Sequence, residues 1–508
     1  MRATHSSTAP RVWAIDSDTP SELQRVETSL GAACVRAALA TRAQIANIMK
    51  SHSTGQSGSP PGGRRYHTLL APGFWLLAPF RLQFAQRRTR NLALKSQVFN
   101  KMVGSYTLVQ ETEQEPPRLS PTLSLPTSFG SVAVVDQISS EDLPAFESGF
   151  RRYALDHRYY EITQSALGKQ FEHLYLLLKD ATGTTRAVQP FLLVHQDLVM
   201  GTPAFVRRSV EAARRVFPSF LKLPMIMVGC SAGEGDIACD TVSGEIGWTV
   251  DGLKEALPQV GRSLGAWMIV FKDYPKSYRS FLDLMVTGGF TRVPSMPATG
   301  MELNFRDFED YLSRKLSHAM RKNLRRKFRK SAEGPPIEFE VVTDITPYAE
   351  EVLPLYQGVY QRAAQKFEEL NVSYLSELGK KMPDRSRFLI WRIEGRIVAF
   401  ASCIVHDGVL RDNYIGLDYA VALDRHLYFV TWRDTVIWAM ENGCRHYHSA
   451  PLNYDPKLHF RMELEPLDLC VRATNPLFNV ILRRLLPILE PTRYDPILKK
   501  FSNANELW

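Results

Sequence analysis

The stretch FLIWRIEGRIVAFASCIVHDGVLRDNYIGLDY, residues 388–419, constrains the fold of this chain most tightly. Its apolar runs are interrupted at Glu394-Gly395 and at His406-Asp407-Gly408, residue types that favour tight turns. It therefore reads as three antiparallel strands. A helical pattern from about Leu427 to Asn442 follows, then Gly443, then a short strand CRHYHSA over 444–450. A short helix starts near Asn453 and a last strand covers 466–473. A meander that passes through a helix into a further strand requires a mixed sheet with helices on its faces.

The first half repeats this order. EHLYLLLKDATGTTRAVQPFLLVHQ (172–196) reads as a hairpin around DATGTT, followed by a helix from about Ala204 to Phe217. The buried strand MIMVG (225–229) then runs into the glycine-rich loop GCSAGEGD (229–236). A helix near 250–264, the strand AWMIVF (266–271), a helix near 275–287 and a strand after Phe290 complete the half. A helix ending in glycine before a strand occurs in both halves, as SLGAWMIV (263–270) and as ENGCRHYH (441–448). Since 508 residues exceed what one core can hold, the expected division is fourfold. A basic, largely disordered extension with a Pro-rich linker covers 1–130, a first unit 131–305, a basic connecting helix 306–336, and a second unit with C-terminal helices 337–508.

The net charge of +9 is local. Residues 1–110 hold 14 Lys and Arg against 4 Asp and Glu, whereas residues 111–508 hold 48 against 49. A neutral body excludes a body-wide nucleic-acid footprint, and no DNA partner is expected. From Thr28 to Gln110 there is no acid while arginines recur, the composition of an organelle transit peptide. Asp16, Asp18, Glu22 and Glu27 oppose that reading. A disordered extension around SHSTGQSGSPPGG (51–63), or a true start at Met102, are the alternatives. The expected location is cytoplasmic, or mitochondrial or plastid if the extension is a transit peptide. The apolar run LLAPGFWLLAPF (69–80) is too short and too broken by proline to span a bilayer, so no transmembrane helix is expected. The six cysteines are scattered without CxxC or metal-ligand spacing, which points to buried thiols and no metal.

The element order resembles the GNAT acyltransferase fold, and the second half resembles its BioF2-like and FemAB-like branch. The likeness rests on YLSRKLSHAMRKNLRRKFRK (311–330), YIGLDYA (414–420), and the Gly443 strand followed by YDPK (454–457). It implies an α+β chain of tandem GNAT-like units, with mixed, mostly antiparallel sheets flanked by helices. It also implies an N-acyltransferase that moves an acyl group from an acyl-CoA-type thioester to a small amine, with no permanently bound cofactor. A FemAB-like transferase using aminoacyl-tRNA is one alternative, and a non-catalytic binding protein on this fold is another. GLDYAVALDRHLYF (416–429) lacks the R/Q-x-x-G-x-G/A loop with which GNAT enzymes grip the coenzyme A pyrophosphate. The first unit does carry Gly229, Gly233 and Gly235, whose amides can turn toward a phosphate. Glu234 and Asp236 oppose an anion there, and a plain surface loop is the alternative.

In such folds the amine meets the donor where two central strands splay, here at the ends of 409–417 and 444–450. Candidate groups are Tyr414, Asp418, His446, His448, Asn453, Tyr454 and Lys457. Cys444, His446 and His448 share one face of their strand. Asn453 and Tyr454 resemble the Asn and Tyr that GNAT enzymes place after this strand, with Tyr as leaving-group acid; Asn453 also suits a helix N-cap. Lys457 matches a lysine of the FemAB-like pattern that holds an anionic substrate. RKLSHAMRKNLRRKFRK (314–330) carries nine basic side chains and no acid. Phe308, Leu312, Leu316, Met320, Leu324 and Phe328 recur at four-residue spacing, so one amphipathic helix is expected. Its Arg321, Arg325, Arg326 and Arg329 suit a phosphate-bearing ligand, either coenzyme A or the acceptor end of an aminoacyl-tRNA.

Overall fold

In the computed structural model, the residues described are 123–197, 204–215, 222–239, 246–363 and 366–508. The expected N-terminal extension, its transit-peptide reading, the run at 69–80 and Met102 lie outside them.

The first sheet begins with β1 (Leu123–Thr127), β2 (Gly130–Val135), β3 (Glu172–Asp180), β4 (Thr185–Asp197) and β5 (Lys222–Val228), with α1 (Leu143–Phe150), α2 (His157–Leu167) and α3 (Ala204–Arg214) between them. β1 occupies part of the expected Pro-rich linker, and that expectation is corrected: Pro126 sits on the sheet edge, where a missing N–H is tolerated. The helix α4 (Ile246–Ser263) leads to β6 (Met268–Pro275), which pairs parallel to β5 in an otherwise antiparallel order. Then come α5 (Arg279–Thr287) and β7 (Thr291–Pro294).

The second sheet starts with β8 (Ala298–Glu302), α6 (Phe308–Lys315), α7 (His318–Ser331), β9 (Ile337–Val342), α8 (Ala349–Arg362) and α9 (Val372–Lys381). The meander follows as β10 (Ser386–Ile393), β11 (Arg396–His406) and β12 (Val409–Leu417). Its two turns hold Glu394, Gly395, Asp407 and Gly408 at positive φ, the backbone a two-residue hairpin turn requires. After α10 (Tyr419–Ala422) and α11 (Leu427–Glu441), β13 (His446–Ser449) lies parallel to β12. The chain ends with α12 (Tyr454–His459), β14 (Glu463–Glu465), β15 (Leu467–Ala473) and α13 (Pro476–Leu489).

The two sheets exchange strands. β8, from the end of the first half, pairs with β13 and β14 in the second sheet. β15, expected in the second unit, inserts between β6 and β7 of the first sheet. Neither 305 nor 337 is therefore a point at which the chain divides into self-sufficient sheets. One hydrophobic cluster spans both halves, including Phe146, Tyr159 and Phe271 with Tyr374 and Phe388. Buried hydroxyls of Tyr159 on α2 and Tyr374 on α9 join across the seam at 2.6 Å. Arg385 reaches back to the Tyr153 carbonyl and pairs with Asp156 at 3.2 Å.

The expected single basic helix is two. Ser317 caps α7 by accepting from the Met320 N–H at 3.3 Å, and Arg321 donates to the Ser313 and Leu316 carbonyls left open at the end of α6. The apolar stripe survives the break because Phe308, Leu312, Leu316 and Leu324 pack into the second core.

The exchange predicts mutual dependence. Fragments 120–305 and 306–508, produced apart, are each expected to lack a cooperative melt by circular dichroism and to regain one when mixed. Independent cooperative melting of either fragment contradicts this account.

Candidate functional site

A cavity of about 1240 Å³ lies between the two sheets. Its walls are set by the two parallel strand pairs. In the second sheet, β12 and β13 pair only from Val409 with His446 to Asp412 with Ser449. Beyond Ala450, whose N–H donates to the Asp412 carbonyl at 3.2 Å, the strands part, and Asn413, Tyr414, Ala450 and Leu452 line the opening. Asn413 is the extra residue of a bulge against β11, since Cys403 faces Asp412 while Ser402 faces Tyr414. A bulged residue loses its ladder partner, so this backbone is released at the cavity wall.

In the first sheet the equivalent opening is filled by the chain's own glycine-rich loop. The Gly235 N–H donates to the Asp273 carbonyl at 3.0 Å, and the Gly229 N–H to the Pro190 carbonyl at 3.3 Å. Lys272 Nζ donates to the Gly233 carbonyl at 3.3 Å. A Cβ on Gly235 would lie 2.4 Å from the Tyr274 ring and 2.6 Å from the Lys272 carbonyl. Gly229 and Gly235 therefore serve close packing, and their amides are spent on protein carbonyls. Gly233 lines the cavity.

That loop also carries Glu234 and Asp236 into the cavity, and here the halves meet chemically. His448 on β13 is buried. Its Nδ1 bonds to Glu465 on β14, and its Nε2 lies 3.3 Å from Glu234. Glu465 also binds His446 Nε2, and His446 Nδ1 meets Glu302 on β8 at 2.9 Å. Burial works against ionisation of Glu465, but hydrogen bonds from both histidines outweigh it and hold the carboxyl well below the usual range. The Glu465 hydrogen bond and charge raise His446 against its burial. Burial and the neighbouring Glu234 charge push Asp236 up to about 7, with the Tyr278 hydroxyl, donating at 2.9 Å, opposing them.

A second charged group faces the same space. Lys272 and Asp273 sit where β6 bulges against β15, with Asp273 at positive φ. Burial disfavours the Lys272 ammonium, yet Asp273 at 2.7 Å and the nearby Glu368 together raise it. Glu368 is raised by burial, partly offset by Lys272 and by the Tyr414 hydroxyl donating at 2.7 Å. Burial pushes the nearby Cys230 thiol up to about 12, which leaves it unreactive.

The other expected residues fall elsewhere. The Tyr454 hydroxyl donates to the Pro297 carbonyl at 2.8 Å inside a small core with Leu464, Leu498, Phe501 and Leu507, and burial raises its pKa. It does not line the cavity. Asp418 caps α10 by accepting from the Ala420 N–H at 2.9 Å and pairs with Arg396. Asn453 precedes α12 at positive φ without a side-chain cap bond and hydrogen-bonds Tyr428. Lys457 is buried, donates to the Ala450 carbonyl, and is pushed by burial down to about 8 against the pull of Asp412. Tyr447 donates to Asp412 at 2.7 Å. This buried trio braces the point at which β12 and β13 part.

Arg321, Arg325 and Arg329 line a separate groove of about 600 Å³ with His318 and Lys322. Arg325 pairs with Glu309 at 2.6 Å. Arg326 lies toward the start of α11, where it lowers the His426 pKa together with burial, Lys327 and Lys330. Among the described residues, no group of three His, Cys, Asp or Glu is arranged to hold a metal ion.

Sequence reasoning missed Glu465, Glu234 and Asp236 as site residues. Glu465 had no local signal, because it joins the histidines only through β14 pairing to β8. Glu234 and Asp236 were read only as obstacles to a phosphate.

Residues 318–457 match the family described as Acetyltransferase (GNAT) domain. Solved structures similar to this chain include that of FemX, at 10% identity over 68% of this chain and 99% of that one, with TM-score 0.43. L-PGS from Bacillus licheniformis is similar at 14% identity over 70% of this chain and 98% of that one, with TM-score 0.42. A tandem GNAT protein from the clavulanic acid biosynthesis pathway is similar at 10% identity over 68% and 99%, with TM-score 0.37. No curated protein matches the chain.

Two stability predictions follow from this geometry. Gly235→Ala is expected to cost about 1–3 kcal/mol in urea unfolding, because the Tyr274 ring and the backbone must move. Glu465 is depressed, so its contribution is present above about 4.3 and is lost as pH falls below that value; His446 is raised, so its contribution is present below about 6.5 and is lost as pH rises through its elevated value. The stability advantage of the native protein over Glu465→Gln is therefore expected to peak between about pH 4.3 and 6.5, which unfolding curves across pH will show.

Proposed function

We propose, from the match of residues 318–457 to a GNAT acetyltransferase domain, that the chain moves an acyl group from a thioester of the acyl-CoA type to an amine in the cavity between its sheets. The observation that carries this reading is the chain Glu465–His448–Glu234, contributed by β14, β13 and the glycine-rich loop. With Nδ1–H given to Glu465, the imidazole is oriented so that Nε2 faces Glu234 and the cavity, where it can take a proton, the arrangement in which a carboxylate orients a general base. Glu234 draws an incoming ammonium to the same point. The ammonium gives its proton to His448, and the imidazolium formed is stabilised by carboxylates at both nitrogens.

The free amine then attacks the donor carbonyl, which enters where β12 and β13 part; the C–N bond forms, the C–S bond breaks, the departing thiolate takes the remaining ammonium proton to leave as the free thiol, and His448 returns its proton to solvent. The released backbone of Asn413 is the candidate donor to the developing oxyanion. Lys457 acts at one remove, holding the Ala450 carbonyl so that the opening keeps its shape. The first sheet supplies acceptor-side groups rather than a second donor site, which fits the plugging of its own opening by Gly229, Gly233 and Gly235. For the donor's phosphates, Arg321, Arg325, Arg326 and Arg329 on α7 remain the proposed contacts; Tyr454 is assigned a role in packing, Asp418 in capping α10 and Asn453 in holding Tyr428.

His448→Gln is expected to lower kcat/KM by about 10²–10⁴-fold, the usual contribution of a positioned base, while leaving donor binding intact. The donor is tested first by thermal shift. A cognate acyl-CoA at 100 times its Kd adds about 2.7 kcal/mol of stability, and a panel producing no shift overturns the thioester reading. Binding of charged tRNA that weakens steeply with salt would assign an aminoacyl donor instead.

A further inference from the structure

The helix α13 packs one face on the first sheet through Phe478, Leu482 and Leu486. Its opposite face is also apolar. Leu477, Val480 and Ile488 each leave more than half their surface exposed, with Leu477 at 73%. Surface helices ordinarily turn polar residues outward, so this face is built for something other than water. Its only charges are basic: Arg483 and Arg484 are exposed, and the helix PLFNVILRRLLPIL contains no acid.

Two amphipathic aromatic side chains extend the face at the helix C-terminus. The Tyr494 hydroxyl donates to the Ile488 carbonyl at 2.6 Å and Trp508 Nε1 donates to Glu490 at 3.1 Å, leaving half of each residue exposed. Glu490, the nearest acid, is itself buried and engaged with Thr492 and Arg493. Aliphatic residues flanked by arginine, tyrosine and tryptophan match the boundary between acyl chains and anionic headgroups. Two exposed arginines and no acid on the helix give the apolar face a positive charge that complements an anionic headgroup layer. Among the described residues no helix is long and apolar enough to cross a membrane, so the helix would lie on a bilayer.

We propose that α13, with Tyr494 and Trp508, docks the protein on an anionic lipid surface, the aliphatic side chains entering the acyl boundary while Arg483 and Arg484 meet the headgroups. The placement gives the docking a consequence. Leu486 and Pro491 line the cavity between the sheets, so a docked molecule holds that side of the cavity at the bilayer. The proposal does not depend on the acyl-transfer reading.

The test is co-sedimentation of the full chain with vesicles of phosphatidylcholine alone and of an equimolar phosphatidylcholine–phosphatidylserine mixture. Binding to the anionic vesicles that falls with salt is expected. The triple variant Leu477→Ser/Val480→Ser/Ile488→Ser is expected to lower it at least about tenfold with an unchanged melting temperature, since these side chains are exposed. Arg483→Gln/Arg484→Gln, which keeps the apolar face, is expected to reduce the preference for anionic over neutral vesicles. No binding by the native protein overturns the proposal. So does binding that the triple variant retains in full, because the contact then lies elsewhere in the chain. Self-association in sedimentation velocity that the triple variant abolishes also overturns it, since a second copy would then cover the face.

Discussion

The exchange of β8 and β15 between the sheets is the constraint on which the rest of the structure depends. A strand lent to a neighbouring sheet contributes its full row of backbone hydrogen bonds there, so neither sheet can complete its ladder without the other half. β8 supplies the partner for both β13 and β14. Without it, β14 has no place in the sheet, and Glu465 is not brought to His446 and His448. The exchange thus builds the charged cluster and also fixes the first-sheet loop beside it, because β15 holds β6 and its bulge at Lys272 and Asp273.

In the first sheet the glycine-rich loop packs beside β5 and β6 and forms a wall of the cavity. The loop packs Gly229 and Gly235 against Tyr274 and Lys272, and the same packing presents Glu234 and Asp236 to the cavity. Burial raises both Asp236, to about 7, and Glu368, so the cavity wall carries two carboxyls that hold their protons more tightly than exposed ones.

Much of the fold was legible in sequence, for a physical reason. The meander, the parallel strand after α11 and the glycine-rich loop are local features, dictated by turn residues and by hydrophobic period. β8 and β14 were missed because ATGME and ELE are too short to show a period, and gain their partners only through tertiary pairing. The same distinction governs the site. His446 and His448 could be placed on one strand face from CRHYHSA, but the acids that orient them come from 302, 465 and 234, and no spacing rule connects those positions. Tyr454 was singled out by its adjacency to the strand, and its side chain turns into the small C-terminal core, where its hydroxyl donates a hydrogen bond to the Pro297 carbonyl.

The basic segment 314–330 illustrates how charge density misleads when geometry is unknown. Counted along the chain it is uniform, but in space its members have separate duties. Arg321 closes the end of α6, Lys327 lies 3.2 Å from the Phe429 ring centroid, and Arg325 answers Glu309. Arg326 lies toward the start of α11, near His426, while Arg329 lines the groove shared with His318 and Lys322. Helix capping, ring contact and anion attraction draw on the same residue type, so composition alone could not apportion them. The break at Ser317 does so, because it ends α6 and sets the direction in which α7 presents its arginines.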